Sequence, residues 1–84
     1  MYDVVLSRQA ARTLERLTPA MRARIIKALE RVRPDPLRGK RLRGELEGLS
    51  SLRVGEMRIV YEVDPDEMVM VVHAIGPRGD VYKR

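Results

Sequence analysis

The spacing of apolar residues predicts two helices in the N-terminal half of the chain. Apolar residues recur at three- and four-residue intervals in residues 8–17 and again in residues 19–33, as the buried stripe of an amphipathic helix requires. Ser7 and Thr18 directly precede these segments, and each has a side-chain oxygen that can cap a helix. Pro19 suits the first position of the second helix, because that position needs no amide donor.

The pattern changes to alternation in the second half, which predicts three strands. They cover residues 49–54, 57–63 and 68–75, and their short connections favour an antiparallel meander. The last strand is apolar on both faces, so we expect it to lie centrally in the sheet. A β-branched run at residues 2–6 adds one strand ahead of the helices.

This order of elements predicts an α+β fold of two layers, with both helices on one face of an antiparallel sheet. A chain of 84 residues is expected to form one domain, residues 1–84, because so short a chain buries only roughly 60% of its unfolded surface. The other face of the sheet is then open. In the strand at 57–63, alternation places Ile59 and Tyr61 on the core side and Arg58 on the open side.

Positive charge is concentrated in residues 31–43. The chain carries a net charge of +5, and this segment alone has six basic residues against one acidic residue. A basic block of this kind favours binding to nucleic acid through phosphate neutralisation, although it also fits a solvated loop. The residues we expect to contact nucleic acid are Arg38, Lys40, Arg41 and Arg43.

Several other classes of site lack the residues they need. With one histidine and no cysteine, the sequence predicts neither a metal site nor a bound cofactor. His73 stands within the apolar last strand, where we expect a structural residue at the edge of the core. No apolar stretch approaches 18 residues and no leader pattern is present, so we expect a cytoplasmic protein without membrane contact.

Three segments of the chain form a recognisable set: KRLRG at residues 40–44, SLRVGEMRIVYEV at residues 51–63 and AIGPRGDVYKR at residues 74–84. Together they resemble the RelE/ParE superfamily of toxins from type II toxin–antitoxin systems. The resemblance implies a RelE-like fold. Its RelE branch implies an endoribonuclease that cleaves mRNA in the ribosomal A site, contacts rRNA, and is neutralised by a cognate RelB-like antitoxin.

Four residues match the catalytic positions of the RelE branch: Arg53, Arg58, Arg78 and Tyr82. Guanidinium groups suit RNA cleavage by 2′-hydroxyl attack, because negative charge accumulates on the phosphorane oxygens. We expect Arg58 and Arg78 to bind the phosphate and Arg53 to act as a substrate clamp or second stabiliser. Tyr82 fits either stacking on a base or proton transfer. The sequence departs from the family pattern at Ser51 and Pro77.

Two other functions remain open from the sequence. A ParE-like inhibitor of DNA gyrase shares the same framework, and a relative that binds RNA without cleaving it would accommodate the departures at Ser51 and Pro77. Structural roles for the site residues also remain open. Arg58 fits an ion pair with Glu62 or Glu56 across the sheet, and Tyr82 fits a cap on the core.

Overall fold

Two helices and a mixed β-sheet form the fold, in a computed structural model that describes residues 1–38, 40–41 and 48–77. In chain order the elements are β1 (Asp3–Leu6), α1 (Arg8–Arg16), α2 (Pro19–Val32), a 3-10 turn (Pro36–Arg38), β2 (Lys40–Arg41), β3 (Leu49–Val54), β4 (Met57–Asp64) and β5 (Val69–Pro77). The α+β class and every predicted helix and strand are confirmed, with ends that differ by at most two residues. No helix among the described residues is long and apolar enough to span a membrane.

Both helices begin at the expected caps. The Oγ atom of Ser7 accepts a hydrogen bond from the amide of Ala10 at 3.1 Å, and Oγ1 of Thr18 accepts one from the amide of Met21 at 3.2 Å. Each bond satisfies an amide that the first turn of a helix leaves without a partner. These two side chains therefore fix where α1 and α2 begin.

The sheet has the strand order β1-β5-β4-β3-β2, which places β5 in its interior as predicted. Strands β3, β4 and β5 form the predicted antiparallel meander. Strand β1 instead pairs in parallel with β5, from Asp3 opposite Val69 to Leu6 opposite Val72. The sheet is therefore mixed, because this one pair is parallel and the others are antiparallel. Both helices, β3 and β4 lie between β1 and β5 in the sequence.

One short strand lies in the basic segment, for which the sequence predicts a loop. Strand β2 pairs with β3 through Lys40 opposite Ser51 and Arg41 opposite Ser50. Two residues are too few to show alternation, so no periodic signal marks β2 in the sequence. This pairing brings the backbone of the basic segment to the edge of β3.

The core lies between the helices and one face of the sheet. Its buried members include Ala10, Ile25, Leu29, Ile59, Tyr61, Met70, Val72 and Ile75. Alternation in β5 is broken at His73, which has no register partner because Tyr61 pairs with Val72 and Val60 with Ala74. This bulge allows both Val72 and Ile75 to face the core although they are three residues apart.

Side chains of α1 continue the bonding of β5 beyond the end of β1. The Ser7 hydroxyl donates to the carbonyl of His73 at 2.6 Å. Gln9 makes two bonds to the backbone of Ile75: its amide Nε2 donates to the carbonyl at 3.3 Å, and its Oε1 accepts from the amide at 3.2 Å. The last part of β5, which pairs with β4 on one side, is therefore held on its other side by side chains at the start of α1, beyond the end of the pairing with β1.

Candidate active site

Two arginines are register partners on the open face of the sheet. Strands β3 and β4 are joined by a two-residue turn, and their antiparallel register places Arg53 opposite Arg58. The neighbouring residues Leu52 and Ile59 pair with each other on the core side, so the two arginines share the opposite face. The predicted direction of Arg58, away from the core, agrees with this register.

Ser51 holds the guanidinium group of Arg58. The Nη1 atom of Arg58 donates to Oγ of Ser51 at 3.0 Å. Ser51 is only 2% exposed and Arg58 is half-buried, so the bond lies within the sheet surface, away from bulk water. Bonds that carry a charge on the donor are stronger than neutral ones, so this contact restricts the orientations open to Arg58.

Arg53 extends in a different direction from Arg58. Its Nε atom donates to the carbonyl of Gly55 at 3.3 Å, so the exposed side chain follows the hairpin end. Two like charges directly opposite each other on neighbouring strands repel. The separate acceptors at Ser51 and Gly55 draw the two guanidinium groups apart along the strands, which reduces that repulsion.

The remaining predicted site residues are only partly described. Strand β5 ends at Pro77, the residue before Arg78, and Gly76 is the register partner of Arg58. The backbone of β2 lies beside Ser51, the residue that holds Arg58. Outside the described residues or described side chains are Arg38, Lys40, Arg41, Arg43, Arg78 and Tyr82.

His73 pairs with Glu62 across β4 and β5. Its Nε2 atom lies 2.9 Å from Oε1 of Glu62, and the two side chains are 43% and 57% exposed. The expectation that His73 packs at the edge of the core is therefore wrong, because the bulge at this residue turns the ring towards solvent. Among the described residues, no three His, Cys, Asp or Glu side chains are grouped so that they could hold a metal ion.

The sequence did not assign a role to Ser51, although it marked the position as unusual. A two-residue turn at Gly55 fixes the register of β3 against β4, and this register places Ser51 diagonally across from Arg58. The signal for this contact was therefore present in the hairpin. To predict the contact from the sequence, the position of the turn must be known without an error of even one residue, since a register shift of one residue moves every side chain to the other face.

A family model described as the ParE toxin of the type II toxin–antitoxin system parDE matches residues 4–82. The chain is 35% identical over 85 residues to Toxin RelG of Mycobacterium tuberculosis, covering 99% of this chain and 98% of that protein. The chain belongs to the RelE/ParE superfamily of type II toxins.

A second relative and a solved structure agree with this membership. Toxin RelE of Mycobacterium tuberculosis is 34% identical over 84 residues, covering 98% of this chain and 87% of that protein. The crystal structure of the RelBE2 toxin–antitoxin complex from the same organism matches with a TM-score of 0.83 at 34% identity, covering 92% of this chain and 98% of that chain. The fold of this RelE/ParE toxin is therefore the RelE-like fold that the resemblance implied.

Proposed function

We propose that this RelE/ParE toxin is a ribosome-dependent mRNA endonuclease. The observation that carries the proposal is the placement of Arg58, half-buried on the open face of the sheet and held by Ser51, in a chain related to toxins named RelE and RelG. An extended RNA strand that binds here would contact the half-buried Arg58 on the sheet face opposite the helices. A guanidinium group fixed on that face offers a permanent charge at a defined position for one phosphate.

The proposed reaction is transfer of the scissile phosphate to the neighbouring 2′-hydroxyl. The 2′-oxygen loses its proton and forms a bond to phosphorus, the bond to the 5′-oxygen breaks, and the leaving 5′-oxygen receives a proton. Negative charge increases on the non-bridging oxygens along this path, so fixed cations lower the barrier. The reaction as written needs no metal ion or other cofactor.

In this mechanism Arg58 and Arg78 stabilise the phosphorane, and Arg53 binds the substrate near the hairpin end. Arg78 follows Pro77 in the chain, and Pro77 is the register partner of Met57, the neighbour of Arg58. This arrangement supports assigning Arg78 to the same end of the sheet. Tyr82 stacks on a base or assists proton transfer. An ordinary phenol with a pKa near 10 is a weak base at neutral pH, so the ribosome is expected to supply part of the geometry.

The basic segment is proposed to bind the RNA around the cleavage site. Lys40 and Arg41 form β2, whose backbone pairs with Ser50 and Ser51 beside the bond to Arg58. Because β2 lies next to the part of β3 that contains Ser51, we assign its basic residues to neighbouring phosphates of mRNA or rRNA. Arg38 and Arg43 flank β2 in the sequence and are assigned the same role.

We further propose that a cognate RelB-like antitoxin neutralises the toxin in the cytoplasm. The matching Mycobacterium tuberculosis structure is a complex of a toxin with its antitoxin. The net charge of +5 favours an acidic partner, and exposed apolar side chains such as Val5 and Ile26 favour an amphipathic helix. Such a segment would cover the charges that the substrate otherwise meets.

Cell-free translation tests the proposal directly. The purified toxin is added to a reconstituted translation reaction, and the ends of the mRNA are mapped by primer extension. We expect cuts within the codon that occupies the A site, and no cuts in the same mRNA without ribosomes. Intact mRNA in both reactions would contradict the proposal.

Gyrase inhibition is the second candidate, because the matching family model is that of ParE toxins. A supercoiling assay with purified gyrase distinguishes it: inhibition by the wild-type chain, with intact mRNA in the translation assay, would favour the ParE-like function. A chain that binds RNA but leaves both mRNA and gyrase activity unchanged would instead be a non-catalytic RNA-binding relative.

A further inference from the structure

A second basic surface lies at the end of the sheet where the turn at Gly55 joins β3 to β4. Only one of its cations, Arg31, belongs to the basic segment 31–43. The cations of this surface come from two elements: Arg24, Lys27 and Arg31 from α2, and Arg53 from β3. Together with Gly55 they line a pocket of about 250 Å³, which we call the hairpin pocket. The side chains that line it include no aspartate or glutamate.

The three cations of α2 form a single row. Residues 24, 27 and 31 are spaced three and four apart, so they lie on one face of the helix. Like charges at this spacing destabilise a helix by about 0.2–0.5 kcal/mol per pair. Such a row therefore has a cost in the free protein, and a bound anion would offset that cost.

Two other arginines of the helical region, Arg22 and Arg33, hold parts of the fold together. Arg22 donates to the backbone carbonyls of Leu14, Glu15 and Leu17, and Arg33 donates to the carbonyl of Tyr2 and to Glu30. By contrast, within residues 1–38, 40–41 and 48–77 no hydrogen bond or ion pair engages the side chains of the α2 row. The α2 row is thus available to a ligand in the described part of the chain.

Gly55 brings two guanidinium groups to the same point. The carbonyl of Gly55 accepts the hydrogen bond from Arg53, which holds that side chain at the pocket. A Cβ atom on Gly55 would lie 3.2 Å from Nη2 of Arg24, so the guanidinium of Arg24 packs against the turn at a distance that a side chain there would disturb. Two elements far apart in sequence therefore place charged planar groups around one small space.

We infer that the hairpin pocket is a binding site for a phosphate group of an RNA backbone. Convergent guanidinium and ammonium groups, with no carboxylate among the described side chains that line the pocket, suit a phosphate, which accepts several charge-assisted hydrogen bonds at once. Arg53 joins the pocket to the open face, since it is the register partner of Arg58. An RNA strand bound at Arg58 can therefore continue round the edge of β3 to the α2 row. The choice of RNA as ligand rests on the proposed function.

Binding of a non-cleavable RNA tests the inference on the full chain. The probe is a short, fluorescent single-stranded RNA with 2′-O-methyl riboses, and its affinity is measured by anisotropy over a range of salt concentrations. The test variant is Arg24→Gln combined with Lys27→Gln. Each phosphate contact contributes about 0.7 to the slope of log affinity against log salt for single strands. Because the pocket is inferred to bind one phosphate, we expect the slope to fall by about 0.7 in the double variant.

The matched control removes the same charge from α1. Arg12→Gln combined with Arg16→Gln alters an exposed row in which Arg8, Arg12 and Arg16 all belong to one helix. We expect this control to change the slope by less than half as much. Equal changes in the two variants would show a general charge effect and overturn the inference, as would an unchanged slope in the test variant.

Two further outcomes separate the pocket from the proposed function. Loss of affinity for the antitoxin, with RNA binding unchanged, would make the hairpin pocket a protein contact and overturn the inference. If the wild-type chain leaves mRNA intact on ribosomes but the pocket variant still loses RNA affinity, the endonuclease proposal fails and the pocket stands. If the wild-type chain cleaves mRNA and the pocket variant binds RNA like the wild type, only the pocket fails.

Discussion

Ser51 and Arg58 are joined by a hydrogen bond between a nearly inaccessible hydroxyl and a half-buried guanidinium group. The two residues lie diagonally across β3 and β4, because Ser51 pairs with Val60 and Arg58 pairs with Arg53. Ser51 is one of the two positions at which the sequence departs from the pattern of the RelE branch, and the resemblance implies a basic residue there. In this chain, residue 51 orients the guanidinium of Arg58 and contributes no positive charge of its own. Binding of the phosphate at the proposed site therefore depends on the orientation of Arg58.

Ser51→Ala is expected to slow cleavage without preventing folding. A hydrogen bond to a charged group contributes about 1.5–3 kcal/mol, and loss of that orientation in the transition state corresponds to a decrease of about ten- to a hundredfold in rate. Single-turnover cleavage on programmed ribosomes gives the rate. Because Ser51 positions Arg58 and does not touch the RNA in this mechanism, affinity for the non-cleavable RNA should change little.

Ser50→Ala is the matched control for this prediction. Ser50 is the neighbouring buried serine, 4% exposed, and it pairs with Tyr61 on the core side of the same strand. Its replacement should leave the cleavage rate near that of the wild type. Equal rates for Ser51→Ala and the wild type would show that Arg58 does not need the serine.

Arg58→Ala and Arg78→Ala are each expected to reduce cleavage about a hundredfold or more. The estimate follows from the loss of about 2.7–4 kcal/mol when one donor to a developing anion is removed. Single-turnover rates on programmed ribosomes test it, with circular dichroism to confirm folding. Arg41→Ala, from the basic segment, serves as control and should weaken RNA binding and lower its salt dependence while cleavage at saturation is retained. If both Arg58→Ala and Arg78→Ala cleave at the wild-type rate, the proposed active site is wrong.

The helices and the direction of Arg58 were predictable because they depend on local periodicity. The caps at Ser7 and Thr18 and the apolar stripes lie within the segments they define, so no distant residue has to be known. The parallel pairing of β1 with β5 was not predictable in this way. It joins residues more than sixty positions apart, and the alternation of a strand does not identify its neighbour.

The sequence predicted which charged residues form the candidate site, but not which groups their side chains contact. The resemblance pointed to Arg53 and Arg58, and the register places them together. The direction of Arg53 towards Gly55 and the solvent exposure of His73 depend on a turn and a bulge that change where side chains point. The row of Arg24, Lys27 and Arg31 is visible in the sequence, but its meeting with Arg53 appears only when α2 is packed against the sheet.

Gln9→Ala is expected to destabilise the end of β5. The substitution removes both hydrogen bonds between the Gln9 side chain and the backbone of Ile75, each of which contributes roughly 0.5–1.5 kcal/mol. We expect a decrease of about 1–3 kcal/mol in the free energy of unfolding in urea. Amide hydrogen exchange at Ile75 should accelerate, whereas exchange at Ile59, within β4, should follow only the global change.

Arg12→Ala is the control for the loss of a side chain from α1. Arg12 is exposed and lies on the same helix one turn away from Arg8. This variant should unfold within about 0.5 kcal/mol of the wild type, as is usual for surface substitutions. Similar stability and similar Ile75 exchange in Gln9→Ala and Arg12→Ala would show that the backbone of β5 does not depend on Gln9.

Gly55→Ala and Gly48→Ala form a pair that separates backbone strain from the contact with Arg24. Both glycines have positive φ, 60° at Gly55 and 91° at Gly48, so alanine is strained at either position and each variant should lose on the order of 1–2 kcal/mol of stability in urea unfolding.

The surroundings of the two glycines differ, because a Cβ at Gly55 would lie 3.2 Å from Nη2 of Arg24 whereas one at Gly48 would meet no described atom within 4 Å. The guanidinium is the far end of a flexible side chain and can move aside, so the contact should add little to the loss of stability. It should nevertheless displace the guanidinium of Arg24 from the turn by a few tenths of an ångström. We therefore expect the salt dependence of RNA binding to decrease slightly in Gly55→Ala and to remain unchanged in Gly48→Ala. The same salt dependence in both variants would mean that the position of Arg24 against the turn does not matter for RNA.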